Sequence, residues 1–238
     1  MIDTALYFGS YNPVHKGHTS IAEWIVQNGF AQELWFIPSP QNPFKSSSEL
    51  APETIRAEML ELDIAPEWRN KISVCRVEFE LPKPSYTVNS LRKLTQDFPG
   101  RRFMLVMGAD NLAGLKGWRE YQFILDNFEI LVYPRPNIVI DSELLATSRI
   151  TILEGAPLFN ISSTELRARF KMGNFDCEHL SDDVVNYIKI KPSVSLGYSP
   201  LWEQSKCPEN NAETALSVSL VGRGKSDMGV SAHGFTQG

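Results

Sequence analysis

The chain has 238 residues with 42% hydrophobic content, enough to bury one ordinary domain core without a disulfide or metal to staple it. Its net charge of −5 and pI near 5.5 exclude a global positive field that would gather nucleic acid or anionic membrane, so a phosphate ligand must be caught by local groups and the substrate is expected to be small. Three cysteines, Cys75, Cys177 and Cys207, lack CxxC spacing and suit reduced thiols rather than a disulfide framework.

Taken from its start, MIDTALYFGS has an early acidic residue and only a short apolar run, unlike a signal peptide. No later stretch reaches the roughly 20 apolar residues of a spanning helix, so a cytoplasmic location without a membrane partner is expected. Ala5 to Phe8 reads as a strand closed by Gly9, and Ile21, Trp24 and Ile25 mark a helix between Thr19 and Gly29. Leu34 to Ile37 is a second strand, stopped by Pro38 and Pro40, and Pro52 opens a helix with Ile55, Met59 and Leu62 on one face.

Ile72 to Phe79 follows as a strand, then a helix carrying Val88, Leu91 and Leu94, and a buried strand from Phe103 to Met107. A helix around Tyr121 to Leu125, strands at Glu129 to Tyr133 and Ile150 to Leu153, a capped helix from Ser163 to Met172 ending at Gly173, and a helix from Asp183 to Ile190 complete the series. This alternation predicts an α/β fold: a doubly wound, Rossmann-like parallel sheet with helices on both faces, occupying residues 1–191. GSYNPVHKGH, PSPQNPFK, GADNL and PRP each follow a strand, which places all four loops on the carboxyl rim where open parallel sheets bind ligands.

Beyond Pro192 the composition turns to Ser, Gly, Asn, Pro and charge, and residues 192–238 read as a disordered or weakly ordered tail. The GRGKS at Gly222 to Ser226 is not a phosphate loop, because position 219 is Ser219 where that motif requires glycine.

Gly9, Ser10, Tyr11, Asn12, Pro13, His15, Gly17 and His18 lie between the first strand and the first helix. Free N–H groups at a glycine turn, two imidazoles three residues apart and a helix start make a receptor for an anionic phosphate chain. A structural turn, a general acid–base pair and a zinc site compete; for zinc no third ligand lies nearby in sequence. Ile161, Ser162, Ser163, Thr164, Glu165 and Arg167 form a second candidate. Hydroxyls opening a helix cap it, and a guanidinium one turn in can grip phosphate oxygens with two donors.

The first run resembles the GxFxPxHxGH signature of the HxGH nucleotidyltransferase superfamily, and ISSTELR resembles its ISSTxxR motif. The resemblance implies that His15, His18 and Arg167 are catalytic, stabilising charge on the ATP phosphates. Gly9, Ser10, Tyr11, Gly17, Ile161, Ser162, Ser163 and Thr164 join them in the ATP site. Ser85, Tyr86, Thr87 and Leu91 further resemble the SYTxxTL segment of nicotinate mononucleotide adenylyltransferases, and Gly108, Ala109, Asp110, Asn111, Leu112 with Trp118 resemble their GADxL...W segment. Arg56 and Arg135 fall where that family has arginines.

The resemblance runs from about residue 3 to about residue 190. It implies that Trp118 stacks on the pyridine ring, that Tyr86 and Thr87 hold the nicotinate carboxylate, and that Gly108, Asp110 and Arg135 serve ATP. Trp118 as a core aromatic, Asp110 as a helix cap and SYT as a capping turn remain open alternatives. Where many relatives have PPHK this chain has Asn42, Pro43, Phe44 and Lys45; Lys45 keeps a cation for substrate while the histidine is lost.

The implied reaction transfers the adenylyl group of ATP to nicotinate mononucleotide and releases pyrophosphate, with Mg²⁺ arriving on ATP rather than in a dedicated metal cage. Transfer to another acceptor such as phosphopantetheine, and a catalytically silent nucleotide-binding module, are the competing readings. Nothing in the sequence fixes an oligomeric state.

Overall fold

The computed structural model describes residues 2–43, 50–136, 138–146, 149–172 and 178–190. The elements run β1 (Ile2–Gly9), α1 (Lys16–Gln27), β2 (Glu33–Pro38), α2 (Glu53–Asp63), β3 (Ile72–Val74), α3 (Thr87–Asp97) and β4 (Arg101–Gly108). They continue with α4 (Ala109–Ala113), α5 (Tyr121–Asn127), β5 (Glu129–Tyr133), α6 (Ser142–Leu145), β6 (Ile150–Ile152), α7 (Ser163–Lys171) and α8 (Asp182–Ile190). The six strands form one sheet in the order β3-β2-β1-β4-β5-β6, every pair parallel. This is the doubly wound α/β architecture the sequence predicts.

Side-chain alternation divides the sheet between two cores, because successive residues of a strand point to opposite faces. Ala5 and Tyr7 of β1, Met104 and Val106 of β4 and Leu131 of β5 pack with Ile21, Ile25, Met59, Leu166 and Val184, so α1, α2, α7 and α8 cover one face. Leu6, Leu105, Met107, Ile130 and Val132 pack with Val88, Leu91, Leu112, Ile124 and Leu144, so α3 to α6 cover the other. A strand buried on both sides must read as a continuous apolar run, as Phe103 to Met107 does. Emptying one of these positions, Leu105→Ala for example, removes about 2–5 kcal/mol.

The predicted strand from Ile72 to Phe79 is cut short. Pairing between β2 and β3 ends at Phe36↔Val74, and Val77–Phe79 is a 3-10 turn. Two features stop the ladder: Pro38 closes β2 without an N–H, and Glu78 turns inward to accept a 2.6 Å bond from Ser90 Oγ of α3. α1 begins at Lys16, three residues before its predicted start. α4 and α6 were not foreseen, being too short to show a period. Gly173, Cys177, Cys207 and the predicted tail lie outside the described residues; Cys75 is a half-buried free thiol. Among the described residues no helix is long and apolar enough to cross a membrane.

Sheet order sets the site. The chain winds from β1 outward through β2 and β3, returns through α3 to β4, and winds outward the other way. The loops after β1 and β4 therefore diverge and leave a crevice between them at the carboxyl edge.

Candidate active site

The loop after β1 is folded tightly around its histidines. Tyr11 sits in the left-handed region at φ 48° and is buried, its hydroxyl donating to Tyr7 O at 2.5 Å. A Cβ at Gly9 would come within 2.7 Å of the Tyr11 ring, so Gly9 makes room for that ring. Tyr11 in turn meets His18 edge-on at 5.0 Å between ring centroids. The Tyr11 side chain is thus a prop beneath the histidine.

His15 and His18 open α1 with reciprocal bonds. The His15 N–H donates to His18 Nδ1 at 3.2 Å, and the His18 N–H donates to the His15 carbonyl at 2.8 Å. The imidazole of His18 takes the part a glutamate plays in a capping box, which fixes its tautomer: with Nδ1 accepting, the proton of the neutral ring sits on Nε2. The two rings lie 3.7 Å apart. Burial, then the nearby Arg135 and His179, push His15 down to about 3, so it is a neutral imidazole at physiological pH. Gly17 serves this arrangement rather than direct ligand approach, since a Cβ there would stand 3.0 Å from His15 Nδ1 and 3.1 Å from Phe159 Cβ.

The second motif meets the first in space. Ser163 Oγ donates to Pro13 O at 2.9 Å and Arg167 Nη1 donates to Asn12 O at 2.8 Å, across 150 and 155 residues of chain. Ser162 caps α7 by accepting the Glu165 N–H at 3.2 Å, so the free N–H groups of that helix start lie beside the histidine loop. Arg167 also donates to Thr164 Oγ1 at 3.3 Å.

These groups share a cleft of about 1170 Å³ with the residues of the middle segments. Asp110 and Arg135 face each other across 3.8 Å, and Arg135 lies over the Tyr133 ring at 5.3 Å. Gly108 backs this pair, since a Cβ there would run into Asp110 Oδ1 and approach Tyr133 Cζ at 3.0 Å. Farther along lie Tyr86, the N-cap of α3, then Thr87, Trp118 and Arg119. Trp118 is half-buried, packed on the second core from its cleft position.

Of the sequence-predicted residues, Gly9, Ser10, Tyr11, His15, His18, Asp110, Arg135, Ser162, Ser163, Thr164, Arg167, Tyr86, Thr87 and Trp118 line this one cleft. Gly17 and Ile161 do not. They border a narrow recess behind the histidines, where Ile161 is a core residue. Gly108 stands behind the wall, and Lys45 and Phe44 lie outside the described residues.

Two contributors were not assigned by sequence. Arg56 is fully buried and donates to Ala51 O at 2.8 Å, Ser10 O at 2.5 Å and Pro40 O at 3.4 Å. It ties the loops after β1 and β2 to the start of α2. Burial lowers it to about 10, leaving it charged at neutral pH. The resemblance marks Arg56 only as a position where the family has an arginine, without a role. Arg119 belongs to none of the sequence motifs.

Six buried side-chain polar atoms find no hydrogen-bond partner among the described residues, and five belong to cleft residues: Ser10 Oγ, His15 Nδ1, Ser85 Oγ, Arg135 Nε and Arg167 Nε. Buried polar groups are ordinarily satisfied, so a concentration of orphans marks where a polar ligand belongs. Among the described lining residues Arg119, Arg135 and Arg167 stand against the single carboxylate of Asp110, so this wall of the cleft suits an anion although the chain is acidic.

Residues 6–169 match the cytidylyltransferase-like family. A probable nicotinate-nucleotide adenylyltransferase from Flavobacterium johnsoniae is 41% identical over 169 residues, 71% of this chain and 86% of that protein. One from Porphyromonas gingivalis is 36% identical over 170 residues, 71% of this chain and 85% of that protein. Plasmodium falciparum nicotinic acid mononucleotide adenylyltransferase complexed with NaAD shares the fold at a TM-score of 0.70 and 18% identity, covering 84% of this chain and 99% of that one. Motif content, sheet order and these likenesses agree that the chain is a cytidylyltransferase-like protein of the nicotinate-nucleotide adenylyltransferase family.

Proposed function

We propose that this enzyme transfers the adenylyl group of ATP to nicotinate mononucleotide, giving nicotinate adenine dinucleotide and pyrophosphate. The observation that carries the reading is the junction of the histidine loop with the start of α7 through Arg167 and Asn12, which sets two phosphate-binding motifs against one cleft.

The 5′-phosphate of the mononucleotide attacks the α-phosphorus of ATP; a P–O bond forms there while the bond to the bridging oxygen breaks and its electrons leave with pyrophosphate. The nucleophile is already an anion, so no general base is needed, and the protein's work is alignment and charge stabilisation. His18, with its proton on Nε2, and the neutral His15 donate to α- and β-phosphate oxygens. Arg167 and the α7 start with Ser162, Ser163 and Thr164 take the β- and γ-phosphates; Arg135 and Asp110 serve the adenosine side. Gly9 and Ser10 shape the loop wall. At the far end Trp118 stacks on the pyridine ring, and Tyr86 and Thr87 at the α3 start receive its carboxylate; Lys45 adds a cation from the loop after β2.

The reading expects Mg²⁺ to arrive with ATP. Among the described lining residues Asp110 is the carboxylate that would face such an ion, and the fit is to a cation that ATP would bring with it. Bound there, the ion would supply charge neutralisation to the phosphoryl groups. Every assigned residue falls at or before Arg167, so residues 1–191 are the catalytic domain in this reading.

The test is pyrophosphate release from ATP with a panel of acceptors: nicotinate mononucleotide, nicotinamide mononucleotide and phosphopantetheine, with and without EDTA. Turnover with the first that EDTA stops and Mg²⁺ restores is expected. Preference for phosphopantetheine, or ATP binding without pyrophosphate from any acceptor, would remove the proposal.

A further inference from the structure

We propose that the guanidinium of Arg119 is the group that makes the far end of the cleft prefer a ring bearing a carboxylate over the same ring bearing a neutral amide. The proposal rests on the reading of function above and assigns its selectivity to one side chain.

Arg119 lines the cleft beside Trp118, Tyr86 and Thr87, and its guanidinium carbon lies 4.9 Å from the centroid of the Tyr86 ring. Stacking on an aromatic face holds the guanidinium plane while leaving its edge donors for an oxygen acid. Tyr86 is the N-cap of α3 and Thr87 its first residue. The cation therefore hangs over a helix start, and an anion between them meets donors from both sides.

Among the described residues the charge of Arg119 meets only one long ion pair and no hydrogen bond. Its neighbour Glu120 would be the natural partner, yet both Glu120 oxygens are taken by Arg92, at 3.1 and 2.6 Å. Glu120 sits in the left-handed region at φ 54°, a conformation unusual for glutamate, and the two-pronged bond from Arg92 anchors it there. Arg92 is braced in turn on the Phe123 ring at 4.5 Å. Arg119 Nε stays 3.9 Å from the nearer Glu120 oxygen, beyond hydrogen-bond length.

Among the described residues, no other guanidinium lining the cleft has the same freedom. Arg167 is bonded to Asn12 and Thr164, and Arg135 faces Asp110 and Tyr133. Among the described lining residues Asp110 is the one carboxylate and it is engaged near Arg135, so the long contact to Glu120 is the competition Arg119 meets from the described residues. A neutral amide offers one acceptor and presents its NH₂ to a cation, whereas a carboxylate accepts two charge-assisted bonds. A site built this way selects by the mismatch it imposes on the amide as well as by attraction of the acid.

The experiment measures kcat and KM for nicotinate and nicotinamide mononucleotides at saturating ATP with the full chain, comparing wild type, R119Q and R119K by pyrophosphate release. In R119Q the ratio of kcat/KM between acid and amide is expected to fall about tenfold. The change should lie in KM for the acid, with kcat and the KM for ATP moving less than about twofold. R119K, which keeps the charge without the planar fork, should recover part of the ratio, and high salt should narrow the gap between wild type and R119Q. An unaltered ratio in R119Q, or an equal loss on both substrates, overturns the assignment of Arg119. Wild-type protein that turns over neither mononucleotide overturns the underlying reading of function instead.

Discussion

Arg167 Nη1 donates to the backbone carbonyl of Asn12 at 2.8 Å, joining residues 155 positions apart. The bond fixes the guanidinium at the edge of the histidine loop, while its Nε has no partner among the described residues. The same side chain therefore holds the loop and faces the cleft. Arg167→Ala is expected to lower kcat/KM for ATP by roughly 100- to 1000-fold. Arg167→Lys, a charge without the fork, should remain at least about tenfold below wild type. Pyrophosphate release kinetics decide it, and an Arg167→Ala protein within threefold of wild type removes Arg167 from phosphate binding.

His18 has two duties that one substitution can separate. His18→Ala loses both the Nε2 donor and the Nδ1 acceptor that caps α1. Turnover should fall by about 100-fold or more, and stability by about 1 kcal/mol. His18→Asn can place an oxygen near the Nδ1 position and restore the cap while leaving the reaction slow. Thermal melts alongside turnover test this; recovery of activity in His18→Asn would show that capping alone is what His18 provides.

His15 predicts an acid sensitivity. Its folded value of about 3 lies below the ordinary 6.5, so between those values the unfolded chain binds the extra proton. The stabilisation is complete above pH 6.5 and is lost as pH falls through that window, at up to about 1.4 kcal/mol per pH unit. Denaturant unfolding from pH 7 to pH 4 should show a smaller loss in His15→Gln than in wild type. Parallel curves would mean that His15 charges freely in the folded state.

At Gly17 helix propensity and packing oppose each other. Alanine inside a helix gains about 1 kcal/mol over glycine, yet its Cβ would press His15 Nδ1 at 3.0 Å and Phe159 Cβ at 3.1 Å. Gly17→Ala is therefore expected to melt within a few degrees of wild type while losing about tenfold or more in kcat, as the His15 ring moves from its place beside His18. Full activity would show that the ring shifts without consequence.

Arg56 predicts a stability phenotype. Arg56→Met fills similar volume but strands the three carbonyls of Ala51, Ser10 and Pro40. About 3–5 kcal/mol should be lost, lowering the melting temperature by roughly 10 °C in a domain of this size. A shift under about 3 °C would mean that water replaces the guanidinium at little cost.

Sequence alone determined the alternation of strands and helices and the rim from which the motif loops emerge. Those properties are local: the apolar runs of β1 and β4 and the proline and glycine stops are written in consecutive residues. It also marked His15, His18 and Arg167 as candidates within two phosphate motifs, their roles being implied by resemblance and standing as a proposal. The tertiary structure alone decided which chemistry is shared and which residue is support. Arg167 reaches Asn12 only because the sheet order brings α7 across β1, Tyr11 became a prop because Gly9 left space beneath it, and Gly17 and Ile161 turned behind the wall. Arg56 and Arg119 act through partners distant or unmotivated in sequence, three carbonyls for one and a ring for the other. Non-local contacts of that kind leave no period or spacing to read, since they are set by how elements pack and not by the order in which residues follow one another.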